Sequence, residues 1–352
     1  MHLSLPLAIG IVSICALILT STLLILLFLY LRCHDHRRKD RTCALEKAET
    51  KDEICRYKWA EIELLTGNFS MPVVGQGGFS TVYLCTLPGS FEPIAVKVHR
   101  CGGGERLLRA FRQELELLRK IKHPRIVRLH GFSDDHEEEG ALILEYLPNG
   151  SLHHKLHGNQ GESAEVLTWQ NRMRILFELT DAMEHLHSMD PPIVHNDITS
   201  TNVLLDCQLS TKLCDFGSVS AGFSAAVCRS GGASVAVGSP GYIDPYYLRT
   251  GLLSKKTDVY SFGVLILEVI TGLPVVGSDG RNLKAQILPC LEGGLQDLMD
   301  PSLNGEYNID EAVQMAALAV RCTGLQPGLR PSMVEIRAVM REKVRSAILT
   351  VD

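Results

Sequence analysis

The stretch VVGQGGFSTVYLCTL, beginning at Val73, limits the fold more than any other part of the chain. Two β-branched runs flank a glycine cluster, and a third run, PIAVKVHR from Pro93, follows a Pro/Gly turn: a strand, turn, strand signal. Glycines let backbone approach a ligand closely, and amides in such a loop can meet phosphate oxygens. Alone the cluster is weak, because glycines also make ordinary hairpin turns. Its context excludes two other phosphate-binding designs. A dinucleotide fold would place a helix directly after the glycines, and a Walker loop would carry Gly-Lys before Ser or Thr.

In IAVKV, strand alternation sets Ile94, Val96 and Val98 on one face and Ala95 and Lys97 on the other. A helix is expected over about 105–121. Within it Glu114 shares the apolar stripe of Leu107, Phe111, Leu118 and Ile121, whereas Glu116 falls outside. A carboxylate facing a core needs a cationic partner, and Lys97 is the nearest candidate by topology.

Downstream, IVHNDITSTNVLLD carries Asp197 and Asn202, and KLCDFG carries Asp215. Hard divalent cations take oxygen ligands, so an amide and a carboxylate suit magnesium. An acid held beside them can accept a hydroxyl proton. A lone Asp or Asn more often caps a helix or bonds a turn. Their ordered occurrence after a glycine loop, a strand lysine and a helix glutamate favours a site.

The remaining layout is a small β-rich part followed by a larger helical one. ALILEYL (141–147) reads as a strand. Helices are expected over 169–188, 256–271, stopped by Gly272, 310–322, and from Pro331 onward. Residues 218–239 read as a long loop. The chain has 352 residues, 45% hydrophobic, enough for a two-lobed core, and its net charge of -5 gives no reason to propose nucleic acid as a partner. Eleven scattered cysteines, with no CxxC pair and no regular spacing, argue against both a disulfide scaffold and a zinc site.

The N-terminus departs from this pattern. From Leu3 to Leu31 no residue is charged, long enough as a helix to cross a hydrocarbon layer of ~30 Å. A cleaved signal peptide is the competing reading, and no basic residue precedes the run. Arg32, Arg37, Arg38, Lys39 and Arg41 follow it, placing that side in the cytoplasm and offering anionic lipid about 1 kcal/mol per charge. The expected organisation is therefore a short outer end (1–2), a transmembrane helix (3–31), a basic juxtamembrane linker (32–65) with a short helix near 59–65, a catalytic domain (66–342) and a tail (343–352), with no ectodomain.

The order GxGxxSxV, AVK, helix Glu, HxDxxxxN and DFG resembles a eukaryotic protein kinase. LLTGNFS, LEYLPNGSL, LTWQNRMRI, GSPGYIDP, KKTDVYSFGVLILEVITG and RPSM are similar to plant receptor-like kinases of the Pelle group. The resemblance implies an α+β bilobal fold, here preceded by the expected membrane helix, and a membrane-anchored serine/threonine kinase using ATP and Mg2+. It implies a plasma-membrane location and partners comprising a protein substrate and a membrane receptor or co-receptor. Val74, Gly75, Gln76, Gly77, Gly78, Phe79, Ser80, Thr81 and Val82 would cover the ATP phosphates. Lys97, paired with Glu114, would contact them, and Ala95, Leu144, Glu145 and Leu147 would surround the adenine. Asp197 would orient the substrate hydroxyl, and Asn202 and Asp215 would hold the metal.

Four positions depart from the family. Ser80 replaces the third glycine, a tolerable change. Asn196 replaces the arginine that pairs with a phosphorylated loop, so activity is expected not to need such a pair. Thr199 stands where a lysine would face the transferred phosphate, and losing one such donor costs about 10²- to 10³-fold in rate. Tyr246 replaces a glutamate that would pair with Arg330, which is expected to stack on the Tyr246 ring instead. The last two changes keep open an alternative: a pseudokinase that binds nucleotide weakly and serves as a docking partner.

Overall fold

The structure is a computed structural model that describes residues 54–348 apart from Phe79, 101–103, Glu137, 159–165, 222–227, 230–237, Ser278 and 291–293. Its N-terminal part is built on six strands: β1 (Cys55–Arg56), β2 (Val73–Gln76), β3 (Ser80–Thr86), β4 (Pro93–Arg100), β5 (Leu129–Ser133) and β6 (Glu139–Glu145). They pair in the order β1-β5-β6-β4-β3-β2, antiparallel except for β1 beside β5. Two helices accompany this sheet, α1 (Trp59–Leu65) and α2 (Glu105–Lys120).

Strand β4 shows why the sheet has a helix on one side and the site on the other. Ile94, Val96 and Val98 pack with Ile62 of α1, Tyr83 and Ile143 in one apolar cluster. Ala95, on the opposite face, belongs to the main core with Phe111 and Leu118 of α2. Both faces are covered, so the strand reads as a nearly continuous apolar run in which a lysine is conspicuous. Residues 55–65, charged and without clear periodicity in sequence, join this unit: Tyr57 N–H donates to Phe132 O at 2.8 Å, and Ile62 is fully buried.

The C-terminal part is helical. It contains α3 (Leu152–His157), α4 (Trp169–Ser188), α5 (Pro245–Thr250), α6 (Lys255–Thr271), α7 (Leu283–Cys290), α8 (Ile309–Cys322) and α9 (Met333–Lys343). Short strand pairs lie against it: β7 (Ile193–Val194) with β10 (Ser220–Ala221), β8 (Val203–Leu205) with β9 (Thr211–Leu213), and β11 (Cys228–Arg229) with β12 (Leu252–Leu253). Helix α6 is its axis. Ser254 caps it, every residue from Thr257 to Thr271 is buried, and Gly272 ends it in the left-handed region at φ 66°. A side chain at Gly263 would put its Cβ 2.6 Å from that of Cys322, so glycine sets the close approach of α6 to α8.

The expected membrane helix is corrected here. Residues 3–31 and the basic stretch after them lie outside the described residues, and among those described no helix is long and apolar enough to cross a membrane. A span needs ~20 predominantly apolar residues. Helix α4 has the length but carries Arg172, Arg174, Glu178, Asp181 and Glu184; α6 is apolar but has only 17 residues and buries them against protein. Among the described residues the fold is accordingly a bilobal α+β arrangement with no transmembrane helix. The membrane anchor, the anionic-lipid contact and the single-pass plasma-membrane location are withdrawn with it. Part of the 218–239 loop is likewise outside the described residues, while Ser220–Ala221 and Cys228–Arg229 form strands.

Candidate active site

Lys97 projects from β4 into a position where three elements meet. Its Nζ donates to both carboxylate oxygens of Glu114 at 2.9 Å, and to Asp215 Oδ1 at 3.0 Å. Lys97 and Glu114 are almost wholly buried, so the pair expected from strand alternation and the helix stripe is present. Burial opposes the charge on Lys97, but Glu114 and Asp215 together carry its pKa above the ordinary lysine value. Burial also pushes Asp215 upward, and Lys97 outweighs it, holding this carboxyl below the usual range. His99, next but one on β4, lies 3.4 Å from Glu114. Burial, then Lys97, lowers its pKa to about 3, so at neutral pH it is an uncharged ring beside Phe111 rather than an ion-pair partner.

Asp215 sits just past β9 with φ 62°, a left-handed conformation that a side chain adopts only where surrounding contacts hold it. Phe216, fully buried, packs edge-on to His195 at 5.0 Å, and His195 Nε2 lies 3.1 Å from Cys214 O. Cys214 N–H donates to Asn202 O at 3.0 Å. The metal-side acid is therefore joined by backbone to the loop carrying Asn202.

That loop is fixed from below by Asp258 of α6, which is fully buried and accepts from His195 N–H at 2.9 Å and Asn196 N–H at 2.7 Å. Asn196, at φ 64°, turns the chain so that Asp197 faces Asn202. Asn202 Nδ2 donates to Asp197 O at 2.9 Å and to Asp197 Oδ2 at 3.0 Å. The donor end of the amide is thus engaged, which reserves its oxygen end for a cation. Asp197 Oδ1 accepts from Ser239 N–H at 2.9 Å and Ser239 Oγ at 2.8 Å.

The oxygens of Asn202 and Asp215 are hard donors, and the Asp215 side chain keeps 46% of its exposure, so the set suits Mg2+. The β2–β3 hairpin suits a phosphate chain in turn. Gly77 N–H donates to Ser80 O at 2.8 Å, and nothing lies within 4 Å of where a Gly78 Cβ would stand. Val74 and Gln76 are exposed, Gly75 is half-buried, and Thr81 and Val82 pair with Val98 and Lys97. Phe79 lies outside the described residues. Ala95 and Leu144 are opposite one another on β4 and β6. The Glu145 side chain is occupied by Lys212 Nζ at 2.9 Å and Arg128 N–H at 2.8 Å, and Leu147 O accepts from Gly150 N–H at 3.1 Å.

Of the departing positions, Tyr246 behaves differently from expectation. Arg330 does not stack on Tyr246. Its guanidinium makes a bidentate pair with Asp244, at 2.6 and 2.9 Å, and lies 5.1 Å over the Tyr260 ring, while Arg249 covers Tyr246 at 5.8 Å. Asp244, two residues before the missing glutamate, also caps α5, so one buried carboxylate serves both purposes. Thr199 is buried, with its Oγ1 2.7 Å from Thr201 Oγ1 and accepting from Asn202 N–H at 3.3 Å. It shapes the loop and supplies no charge.

Sequence reasoning missed Asp258, Asp244 and His195. Asp258 was visible in the quoted KKTDVYSF, as one of two acids, with Glu268, in a helix that is largely apolar from Val259 to Thr271, the pattern of buried carboxylates with distant partners.

The comparisons agree with this geometry. A family model for the protein kinase domain matches residues 70–340. Salt tolerance receptor-like cytoplasmic kinase 1 of Oryza sativa subsp. japonica is 51% identical over 291 residues, covering 81% of this chain and 79% of that protein. A probable receptor-like protein kinase of Arabidopsis thaliana is 41% identical over 312 residues, 83% of this chain and 89% of its own length. A probable LRR receptor-like serine/threonine-protein kinase of Arabidopsis thaliana is 39% identical over 304 residues, but the match takes up only 33% of that protein.

Proposed function

Because the chain belongs to the protein kinase family, we propose a division of labour among its residues for transferring the ATP γ-phosphate to protein serine and threonine hydroxyls. Lys97 binds and orients the triphosphate, and Glu114 keeps the ammonium in place. Asn202 and Asp215 hold Mg2+, which when bound neutralises charge on the phosphates. Asp197 accepts the hydrogen bond of the incoming hydroxyl and holds it for attack. Ser239, on Asp197 Oδ1, occupies the approach that such a hydroxyl would use. The observation that carries this reading is one ammonium bridging Glu114 and Asp215, the latter 118 residues away in the chain. A purely structural lysine has no need of a second acid that keeps 46% of its side chain open.

The kinase domain resembles the plant receptor-like kinases of the Pelle group. Asn196 supports a finer assignment, to members whose activity does not depend on a phosphate paired with an arginine before the catalytic acid. Asp258 already fixes the backbone at that point, so no phosphorylated loop is needed to order it. With no cation at Thr199, transfer is slower by about 10²- to 10³-fold than in a kinase that has one. A receptor-type protein is the fitting upstream partner, in line with the names of its relatives.

The test is phosphate transfer to a generic protein substrate by the full chain, beside Lys97→Ala and Asp197→Asn, with a parallel Mg2+-ATP thermal shift. Transfer lost in both variants, with the shift lost only in Lys97→Ala, is expected. Transfer that survives Asp197→Asn unchanged would refute the assignment of the acid. The same assay on phosphatase-treated protein should show undiminished initial rates.

A further inference from the structure

One cluster of metal-binding side chain types lies outside the machinery just described. Helix α3 carries His153 and His157 four residues apart, hence on one face, and their ring centroids are 4.9 Å apart. His157 Nε2 lies 2.9 Å from Glu268 Oε1, and His153 Nδ1 lies 3.9 Å from the same oxygen. Taking one ligand atom from each residue, all three atoms fall within 4.8 Å of one another. Glu268 comes from the buried interior of α6, with 1% of its side chain exposed.

We propose that His153, His157 and Glu268 bind a divalent transition-metal ion of the zinc class, with water completing the coordination on the open side of His153.

Three features point this way. The first is geometry. Zinc holds nitrogen and carboxylate ligands at ~2.0–2.2 Å, which sets tetrahedral donors ~3.3–3.5 Å apart. The separations of 2.9 and 3.9 Å bracket that value, so small ring rotations suffice to close on an ion. The second is the support around the carboxylate. Ser200 Oγ donates to Glu268 Oε1 at 2.7 Å, and the Tyr242 hydroxyl donates to Oε2. Metal-binding carboxylates are oriented by such outer hydrogen bonds.

The third feature is the second histidine. Ser200 Oγ and His157 Nε2 both already lie within hydrogen-bond distance of Glu268 Oε1, at 2.7 and 2.9 Å. His153 Nδ1 lies 3.9 Å from Glu268 Oε1, too far for a hydrogen bond, and 3.3 Å from Ser200 Oγ, and it keeps 47% of its side chain open to solvent. Beyond its contact with Ser200, it supplies the third ligand and a route of entry. Two imidazoles with one carboxylate favour zinc over Mg2+, which separates this site from the oxygen pair of Asn202 and Asp215.

Occupancy would act on the catalytic loop. Ser200 O accepts from His153 N–H at 2.9 Å, and Ser200 lies between Asp197 and Asn202 in sequence. An ion joining α3 to α6 would therefore hold that loop between them.

The experiment titrates Zn2+ into the chelator-treated full chain by calorimetry and follows Co2+ by visible absorption. One equivalent should bind, Co2+ should show the intense bands of four-coordination, and the melting temperature should rise by about 5 °C at a hundredfold excess over the dissociation constant. His153→Ala should weaken binding by at least about tenfold while keeping its Mg2+-ATP thermal shift, which shows that it is folded. Glu268→Gln, which retains an acceptor for one of Ser200 and Tyr242 and can donate its amide N–H to the hydroxyl of the other, should do the same. Absence of saturable binding overturns the proposal. So does Zn2+ affinity unchanged in folded His153→Ala, because the ion would then sit on another of the 13 histidines.

Discussion

Asp244→Asn removes the charge opposite Arg330 in a pair whose side chains are each 1% exposed. Breaking one side of a buried pair costs about 3–5 kcal/mol, since the remaining charge stays desolvated. Here the lower end is expected. Arg330 keeps Gly324 O at 2.8 Å, Lys256 O at 2.8 Å and the Tyr260 ring, and Asn still offers one acceptor. At about 2–4 °C per kcal/mol for a domain of this class, a loss of about 3 kcal/mol lowers the melting temperature by about 6–12 °C. The assay is a double-mutant cycle by chemical denaturation over Asp244→Asn, Arg330→Leu and the pair, with Tyr246→Glu beside it. The coupling energy should reach about 2 kcal/mol or more. Tyr246→Glu should change stability by less than about 1 kcal/mol, because Arg330 already has its carboxylate. Transfer activity should fall with Asp244→Asn, since this residue anchors the segment that brings Ser239 to Asp197. If Asp244→Asn proved neutral and Tyr246→Glu strongly stabilising, the reassignment of Arg330 would be refuted.

Two further outcomes follow from the site. The pKa of His99 is lowered to about 3 in the fold and is near 6.5 when unfolded, so the unfolded chain binds the extra proton between those values. Its contribution is present in full above pH 6.5 and is lost as pH falls toward 3; it amounts to a few kcal/mol, on the order of the shift. His99→Leu should flatten the acid limb of the stability profile, and an unchanged limb in urea titrations from pH 7 to 4 would contradict this. Thr199→Val keeps the shape but removes the side-chain acceptor for Asn202 N–H, leaving the backbone Thr199 O at 3.1 Å, and the partner of Thr201. A loss of about 1–2 kcal/mol by denaturation and a rise in KM for Mg2+-ATP are expected; an unaltered KM would show that the hydroxyl does not position Asn202.

Much of this protein was legible because short-range patterns carry their own physics. Alternation in β4 separated Lys97 from Ile94, Val96 and Val98, and the stripe of α2 singled out Glu114 against Glu116. Each needed only the period of its element and the rule that a buried charge seeks its opposite. Helices α4 and α6 began and ended at their capping residues or within a position of them. Partner choice across the chain was the tertiary structure's to make. Arg330 had Tyr246 as its expected neighbour, yet the N-cap of α5, Asp244, meets it beside the start of α6. Asp258 and Glu268 look alike in sequence, acids within one apolar helix, but one fixes His195 and Asn196 while the other gathers Ser200, Tyr242 and two histidines. The apolar run at the N-terminus was read from its length, its lack of charge and the basic residues after it; it lies outside the described residues, and no described helix is long and apolar enough to cross a membrane. Periodicity fixes which face a residue occupies, because that is a property of its own helix or strand. What waits on that face depends on how distant elements pack, and no local pattern encodes it.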